Sequence, residues 1–137
     1  MGVIIDTSTL VTAERRKHSA GEIFAQLREA HGETTAGLSA VTLMELAHGI
    51  ERAKLDAHRA RSQAFLDDLI ADIKVYPIIA DIALLAGRIS GQQARRGFVL
   101  SFEDLLIGAT ALHHGFEVVT ENVRHFEMIP DLVVKTL

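Results

Sequence analysis

Three carboxylates, Asp6, Glu45 and Asp104, stand where an acid is either a local structural device or part of a site. Asp6 ends the apolar run Val3-Ile4-Ile5 and is followed by the hydroxyls of Thr7 and Ser8. Such a short β-branched run reads as a strand buried on both faces. In an open parallel sheet ligands gather beyond the carboxyl ends of the strands, where the strand order reverses. Asp6 belongs there, and a carboxylate at the rim of a buried strand is costly unless something pairs with it. The ordinary alternative is that Asp6 only caps the next helix. Glu45 lies on a helix at the margin of its apolar arc, next to Val41 and Met44, and Gly49 one turn later leaves room beside the backbone. Asp104 opens a very apolar helix, where Ser101-Phe102-Glu103-Asp104 also matches the Ser-x-x-acid capping pattern. Thr120 and Asn122 follow a fourth strand expected to neighbour the first. Like charges brought together in a low-dielectric cleft either retain a proton or bind a cation. Oxygen donors without His or Cys in pattern suit Mg²⁺ or Mn²⁺. Such ions activate water and neutralise charge on a phosphodiester. Together the acids read as a metal-dependent nuclease site.

The elements that must position them alternate between strand and helix. After Val3–Ile5, Thr9–Glu14 reads as a short helix that runs into Glu14-Arg15-Arg16-Lys17-His18. A charge run of this kind is ordinarily a solvated face. Close to the Asp6 rim, Arg15, Arg16 and Lys17 are the best candidates for a phosphate-gripping element. Ser19 with Glu22 forms a capping-box pair for a helix whose stripe is Ile23, Phe24 and Leu27. Residues 34–39 read weakly as a strand, since Ala36 and Gly37 are poor strand formers. Ser39 starts the helix with the wide arc Val41, Leu43, Met44, Leu46, Ala47 and Ile50. A long amphipathic helix is expected over 57–73 through Phe65, Leu66, Leu69, Ile70 and Ile73. A minimal strand, 74–76, is closed by Pro77, and a helix over 79–95 ends in cations and Gly97. The helix over 101–114 is apolar in almost every direction, so it belongs between layers. Gly115 terminates it, 116–120 is a strand, Glu121-Asn122 opens a turn or short helix ending at Phe126, and 132–134 is a last edge strand. Five short apolar runs among helices predict an α/β fold, a five-stranded parallel sheet with helices on both faces. No repeat, low-complexity tract or linker divides the chain, so residues 1–137 are expected to form one domain.

The 137 residues suffice for one domain with a proper core. A net charge of −4, from 14 Lys+Arg against 18 Asp+Glu, argues against non-specific nucleic-acid binding over the whole surface. A local basic strip beside an acidic pocket remains compatible with it. Cysteine is absent, which excludes disulfides and thiolate metal sites and agrees with a reducing cytoplasm. No apolar run reaches the roughly 18 residues of a membrane span. The N-terminus shows no basic region followed by an apolar stretch, so no signal peptide is expected and the location is expected to be cytoplasmic.

Val3-Ile4-Ile5-Asp6-Thr7-Ser8 and the segment from Ser39 to Gly49 resemble the first two motifs of PIN-domain nucleases. Asp104-Leu105-Leu106-Ile107-Gly108-Ala109-Thr110-Ala111, Gly115, and Val118-Val119-Thr120-Glu121-Asn122 with Phe126 resemble the rest. Order, spacing and length are similar to the VapC toxins of bacterial and archaeal toxin–antitoxin pairs, over nearly the full chain. The resemblance implies a PIN domain in which Asp6, Glu45 and Asp104 bind metal and Ser8 and Thr120 support water or phosphate. It implies Mg²⁺-dependent RNA cleavage by a metal-activated water, leaving 5′-phosphate and 3′-hydroxyl ends. It also implies a homodimer and a cognate VapB-type antitoxin that blocks the site with its C-terminal region. One departure stands out: many relatives carry a fourth acid where this chain has Asn122 and His125, although Glu121 is adjacent. That departure bears on a second metal more than on the first.

Two rivals remain at this stage. A phosphatase of the haloacid dehalogenase type also begins with an apolar strand and an Asp, but wants a second acid two residues on, where this chain has Ser8. No Gly-rich phosphate loop or P-loop lysine motif is present. The other rival is a non-catalytic PIN-like interaction domain whose acids merely cap helices.

Overall fold

The computed structural model describes residues 1–137. Five strands, β1 (Gly2–Ile5), β2 (Thr35–Ser39), β3 (Lys74–Tyr76), β4 (Glu117–Val119) and β5 (Val134–Lys135), form one sheet in the order β3-β2-β1-β4-β5. Every pairing is parallel. Seven helices connect or follow them: α1 (Thr7–Arg15), α2 (Ala20–His31), α3 (Ala40–Arg52), α4 (Asp56–Asp72), α5 (Ala80–Arg95), α6 (Phe102–His114) and α7 (Val123–Glu127). None is long and apolar enough to cross a membrane.

The two-residue period of a strand sends neighbouring side chains of β1 to opposite faces. Val3 and Ile5 join one core with Leu10 of α1, Ile23 and Leu27 of α2 and Leu66 and Leu69 of α4. Ile4 joins the other with Ile82 and Ile89 of α5 and Leu105, Ile107 and Ala111 of α6. Both faces of the sheet are therefore covered, as the continuous apolar run of β1 predicts. Ser19 makes the expected capping box with Glu22, and Gly115 ends α6 in the left-handed region at φ 69°.

Some expectations are corrected. Met44 and Ala47 were expected in the buried arc of α3 and Ile70 in that of α4, but all three are exposed. An apolar residue is free to face water, so a wide arc overstates the buried face. The last strand lies at Val134–Lys135 rather than 132–134. The Val118 amide reaches the Val133 carbonyl while the Val133 side chain stays exposed, and Leu132 instead packs against the second core.

Gly37 is a poor strand former that this sheet requires. A Cβ on it would collide with the ring of Tyr76, whose Cδ2 would lie 2.9 Å away. That ring is buried and packed edge-on against Phe116, so it has nowhere to move. Gly37→Val is expected to cost about 1–3 kcal/mol by overpacking, read as a lower denaturant midpoint at unchanged slope.

Candidate active site

The strand order turns at β1, which pairs with β2 on one side and β4 on the other. Asp6 is the first residue beyond β1, and its amide donates to the Val119 carbonyl at 2.8 Å. It holds the N-cap position of α1, yet its side chain makes no capping bond. Instead Oδ2 accepts from Ser8 Oγ at 2.6 Å and from Thr120 Oγ1 at 2.8 Å. The Glu121 amide donates to Ser8 Oγ at 3.1 Å and the Asn122 amide to Thr120 Oγ1 at 2.9 Å. Each hydroxyl thus receives a proton from the β4–α7 turn and gives its own to Asp6, polarising both links in one direction. Only 3% of Asp6 is exposed. The capping explanation of Asp6 therefore fails, and both hydroxyls converge on one oxygen, leaving Oδ1 for another partner.

Glu45 projects from α3 toward the start of α1, where Thr7 Oγ1 donates to its Oε1 at 2.7 Å. Thr7 Oγ1 also lies 3.1 Å from the hydroxyl of Thr42, a fully buried residue. Asp104 sits in the first turn of α6. Its amide donates to Ser101 Oγ at 3.1 Å, so the expected cap is real. The cap uses the Ser101 side chain and the Asp104 backbone, and the Asp104 carboxylate faces His125 Nδ1 at 3.4 Å. Burial raises the pKa of Glu45 above its ordinary value; the Thr7 hydroxyl works against this, while the charges of Asp6, Asp104 and Glu103 add to it. Burial likewise raises Asp104, helped by Asp6 and opposed by Ser101 and His125. The charges of Asp6 and Asp104 thus reach Glu45, and that of Asp6 reaches Asp104, across the carboxyl edge of the sheet. Their donor chemistry, hard oxygens in a desolvated cleft, fits a small divalent cation. As the side chains stand, no three carboxylate or imidazole groups converge into a finished ligand set.

These shifts have a sign. Glu45 and Asp104 hold their protons more tightly folded than unfolded, so their ionisation counts against the fold. The cost is absent below their ordinary values of 4.5 and 3.8 and appears as pH rises through the raised folded values. In EDTA, Glu45→Gln and Asp104→Asn should therefore melt above the wild type at neutral pH. The advantage should close as the pH falls to those ordinary values, as thermal unfolding at several pH values will show.

A cleft of about 870 Å³ opens beside Glu45 between α1, α3 and α4. Apolar residues such as Leu46, Ile50 and Phe65 line it, with Arg15, Lys17 and Arg61 as cations. Gly49 lies on its wall, with open space where a side chain would be. Arg15 and Lys17 are thus contiguous with an acid of the site, whereas Arg16 does not line the cleft. Glu14, in the same charge cluster, accepts from Ser62 of α4. Glu121 and Asn122 are exposed and supply backbone amides to the site. Glu121 is not among the charges that perturb Glu45 or Asp104. Thr42, whose hydroxyl meets Thr7 beside Glu45, is a support that the sequence does not single out. Thr42 follows Glu45 back by three positions on one helical face, a spacing that carries the signal.

The topology and the acids at its turning point define a recognisable class. The PIN domain family model matches residues 3–131, and the chain belongs to that family. It is 29% identical over 137 residues to ribonuclease VapC1 of Rickettsia felis, covering 100% of this chain and 97% of that protein. To ribonuclease VapC19 of Mycobacterium tuberculosis it is 32% identical over 129 residues, covering 94% and 95%. Among solved structures, the DNA-bound VapBC of Salmonella typhimurium matches with a TM-score of 0.82 and 26% identity, over 99% of this chain and 98% of that one. The VapBC2 structure of Rickettsia felis, at a TM-score of 0.84 and 22% identity over 99% and 98%, shares the fold. The phosphatase alternative has no support in this kinship.

Proposed function

We infer that this chain is an endoribonuclease toxin of the VapC type, acting in the cytoplasm on RNA and silenced by a VapB-type antitoxin. The observation that carries the reading is Asp6: a buried carboxylate at the turn of the strand order, released from capping and held by two oriented hydroxyls. A scaffold without chemistry would gain little from this charge, since taking a carboxylate out of water is costly and neutral hydroxyls bring no opposite charge to offset it. The kinship with VapC ribonucleases and with VapBC complexes supports the reading.

Asp6 and Asp104, with Glu45 close by, are the residues that would hold Mg²⁺ or Mn²⁺. A bound ion would supply charge neutralisation at the scissile phosphate and a more acidic water. Ser8 and Thr120 orient Asp6 by donating to its Oδ2. Thr7 fixes Glu45 through Oε1, and the raised pKa of Glu45 suits it to take up a proton from the attacking water. Arg15 and Lys17 extend the site as phosphate contacts along the cleft, with Arg16 further out. The uncharged Asn122 makes a second ion weak until substrate adds its own charge. A homodimer would cover apolar surface that the chain exposes at Met44, Leu84 and Phe102.

The test is cleavage of single-stranded RNA by the purified chain in Mg²⁺ or Mn²⁺, lost in EDTA and regained on adding metal. Absence of cleavage across a varied RNA pool in Mn²⁺ would sink the nuclease reading. Lys17 offers a second measurement, because it sits in the left-handed region at φ 61°. Lys17→Gly should raise stability by about 1 kcal/mol through relief of that backbone. It should also lower the salt slope of RNA binding by about 1. Opposite signs for folding and binding mark a residue kept for its charge.

A further inference from the structure

We propose that Thr42 is a positioning residue for RNA cleavage, fixing the carboxylate of Glu45 by acting through Thr7; this rests on the nuclease reading above. Thr42 lies one turn before Glu45 on α3 and is fully buried, and Thr7, next to Asp6, is 9% exposed. A threonine inside a helix commonly spends its hydroxyl on the carbonyl four residues back. Thr110 of α6, also fully buried, does so, donating to the Leu106 carbonyl at 2.7 Å. Thr42 leaves that bond unmade. The one hydrogen-bond partner of its hydroxyl is Thr7 Oγ1, 35 positions away in the chain and 3.1 Å away in space.

A hydroxyl carries one proton, and Thr7 has two acceptors in reach, Glu45 Oε1 at 2.7 Å and Thr42 Oγ1 at 3.1 Å. The carboxylate claims that proton, because its contact is shorter and a charged acceptor makes the stronger bond. The contact between Thr7 and Thr42 is then filled by the proton of Thr42, which has no other acceptor. Donation runs from Thr42 to Thr7 to Glu45, and each bond polarises the next. Oε1 is thereby engaged, and Oε2 is the oxygen left for the attacking water.

Asp6 is held by the same device. Ser8 and Thr120 each receive a proton from a backbone amide and pass their own to Oδ2. Thr42 stands behind Thr7 as those amides stand behind Ser8 and Thr120. Here the rear donor is a side chain, so a substitution removes it without disturbing the backbone. The rival role is packing alone, in which Thr42 fills space beneath α3 and its hydroxyl is incidental.

The experiment compares three variants of the full chain. Thr42→Val keeps the shape and loses the hydroxyl, Thr42→Ser keeps the hydroxyl and loses a methyl, and Thr7→Val removes the donor to Glu45 itself. On RNA that the wild type cuts, Thr7→Val should lower kcat roughly 10–100-fold, the range that outer partners of a site carboxylate contribute. Thr42→Val should lower it by about tenfold, the low end of that range. KM should stay nearly unchanged in both, and Thr42→Ser should restore most of the rate. In the metal-free chain, proton NMR should show a slowly exchanging Thr7 hydroxyl that moves upfield in Thr42→Val and holds its place in Thr42→Ser. Full kcat in Thr42→Val, a loss that Thr42→Ser does not repair, or an effect on KM alone overturns the role of Thr42 and leaves the nuclease reading intact. So does a Thr7 hydroxyl signal that is absent or unmoved by Thr42→Val. Absence of cleavage by the wild type overturns both.

Discussion

Asp6→Asn is expected to lower RNA cleavage about a thousandfold, the several kcal/mol that electrostatic stabilisation by a held ion contributes at a phosphodiester. Folding should survive, because the substituted amide keeps an oxygen where Ser8 and Thr120 donate. Removal of the charge also relieves the Glu45 and Asp104 carboxylates, both of which Asp6 perturbs. Melting in EDTA should therefore stay level or rise while activity collapses. Asp6→Ala separates the two effects further. It strips the acceptor from two hydroxyls inside the fold and should cost about 1–3 kcal/mol of stability. Wild-type cleavage by Asp6→Asn in Mg²⁺ or Mn²⁺ would remove Asp6 from the chemistry.

Phe126→Ala is expected to cost about 3–5 kcal/mol, the usual range for emptying a fully buried aromatic site. Phe126 has no exposed surface and packs in the core beneath α5 and α6. Its helix has only five residues and no side-chain cap, so it has no stability of its own. Loss of the ring should free the turn that carries the Glu121 and Asn122 amides, and with it the oriented hydroxyls on Asp6. Metal binding and cleavage should fall together with the denaturant midpoint. Phe126→Leu, which keeps most of the volume, should cost less than about 1.5 kcal/mol and retain the site. A Phe126→Ala protein with normal stability would show that α7 is held by something else.

The sheet was legible because its central strand is a continuous β-branched run and its helices carry their own punctuation. Ser19 with Glu22, Ser39, Ser101 and Gly115 all mark boundaries by local chemistry that needs no tertiary context. The place of Asp6 followed from the same logic, since the carboxyl edge of a parallel sheet is where ligands collect. Less legible were features settled by long-range packing. Met44, Ala47 and Ile70 are apolar but face water, and hydropathy alone does not say which flank of an arc meets the core. The β5 shift depends on which carbonyl Val118 finds. Capping and chemistry overlap at Asp104 in the sequence, whereas in the fold its backbone amide serves the cap and its carboxylate faces His125. The approach of His125 to Asp104 depends on how α7 docks, which residue spacing does not encode.

The clasp on Asp6 also bears on when the site is completed as the chain is made. It joins Asp6 to Thr120, 114 positions later, and Glu121 to Ser8, 113 positions apart. Chains are made from the amino terminus and their early parts fold first, whereas contacts of such separation must wait. Until β4 is available, β1 has one open edge, and the hydroxyl of Thr120 is missing from Asp6. A chain still on the ribosome, or cut short before β4, carries Asp6, Glu45 and even Asp104 without the turn that aligns them. The turn that aligns Asp6 is therefore among the last parts of the site to form.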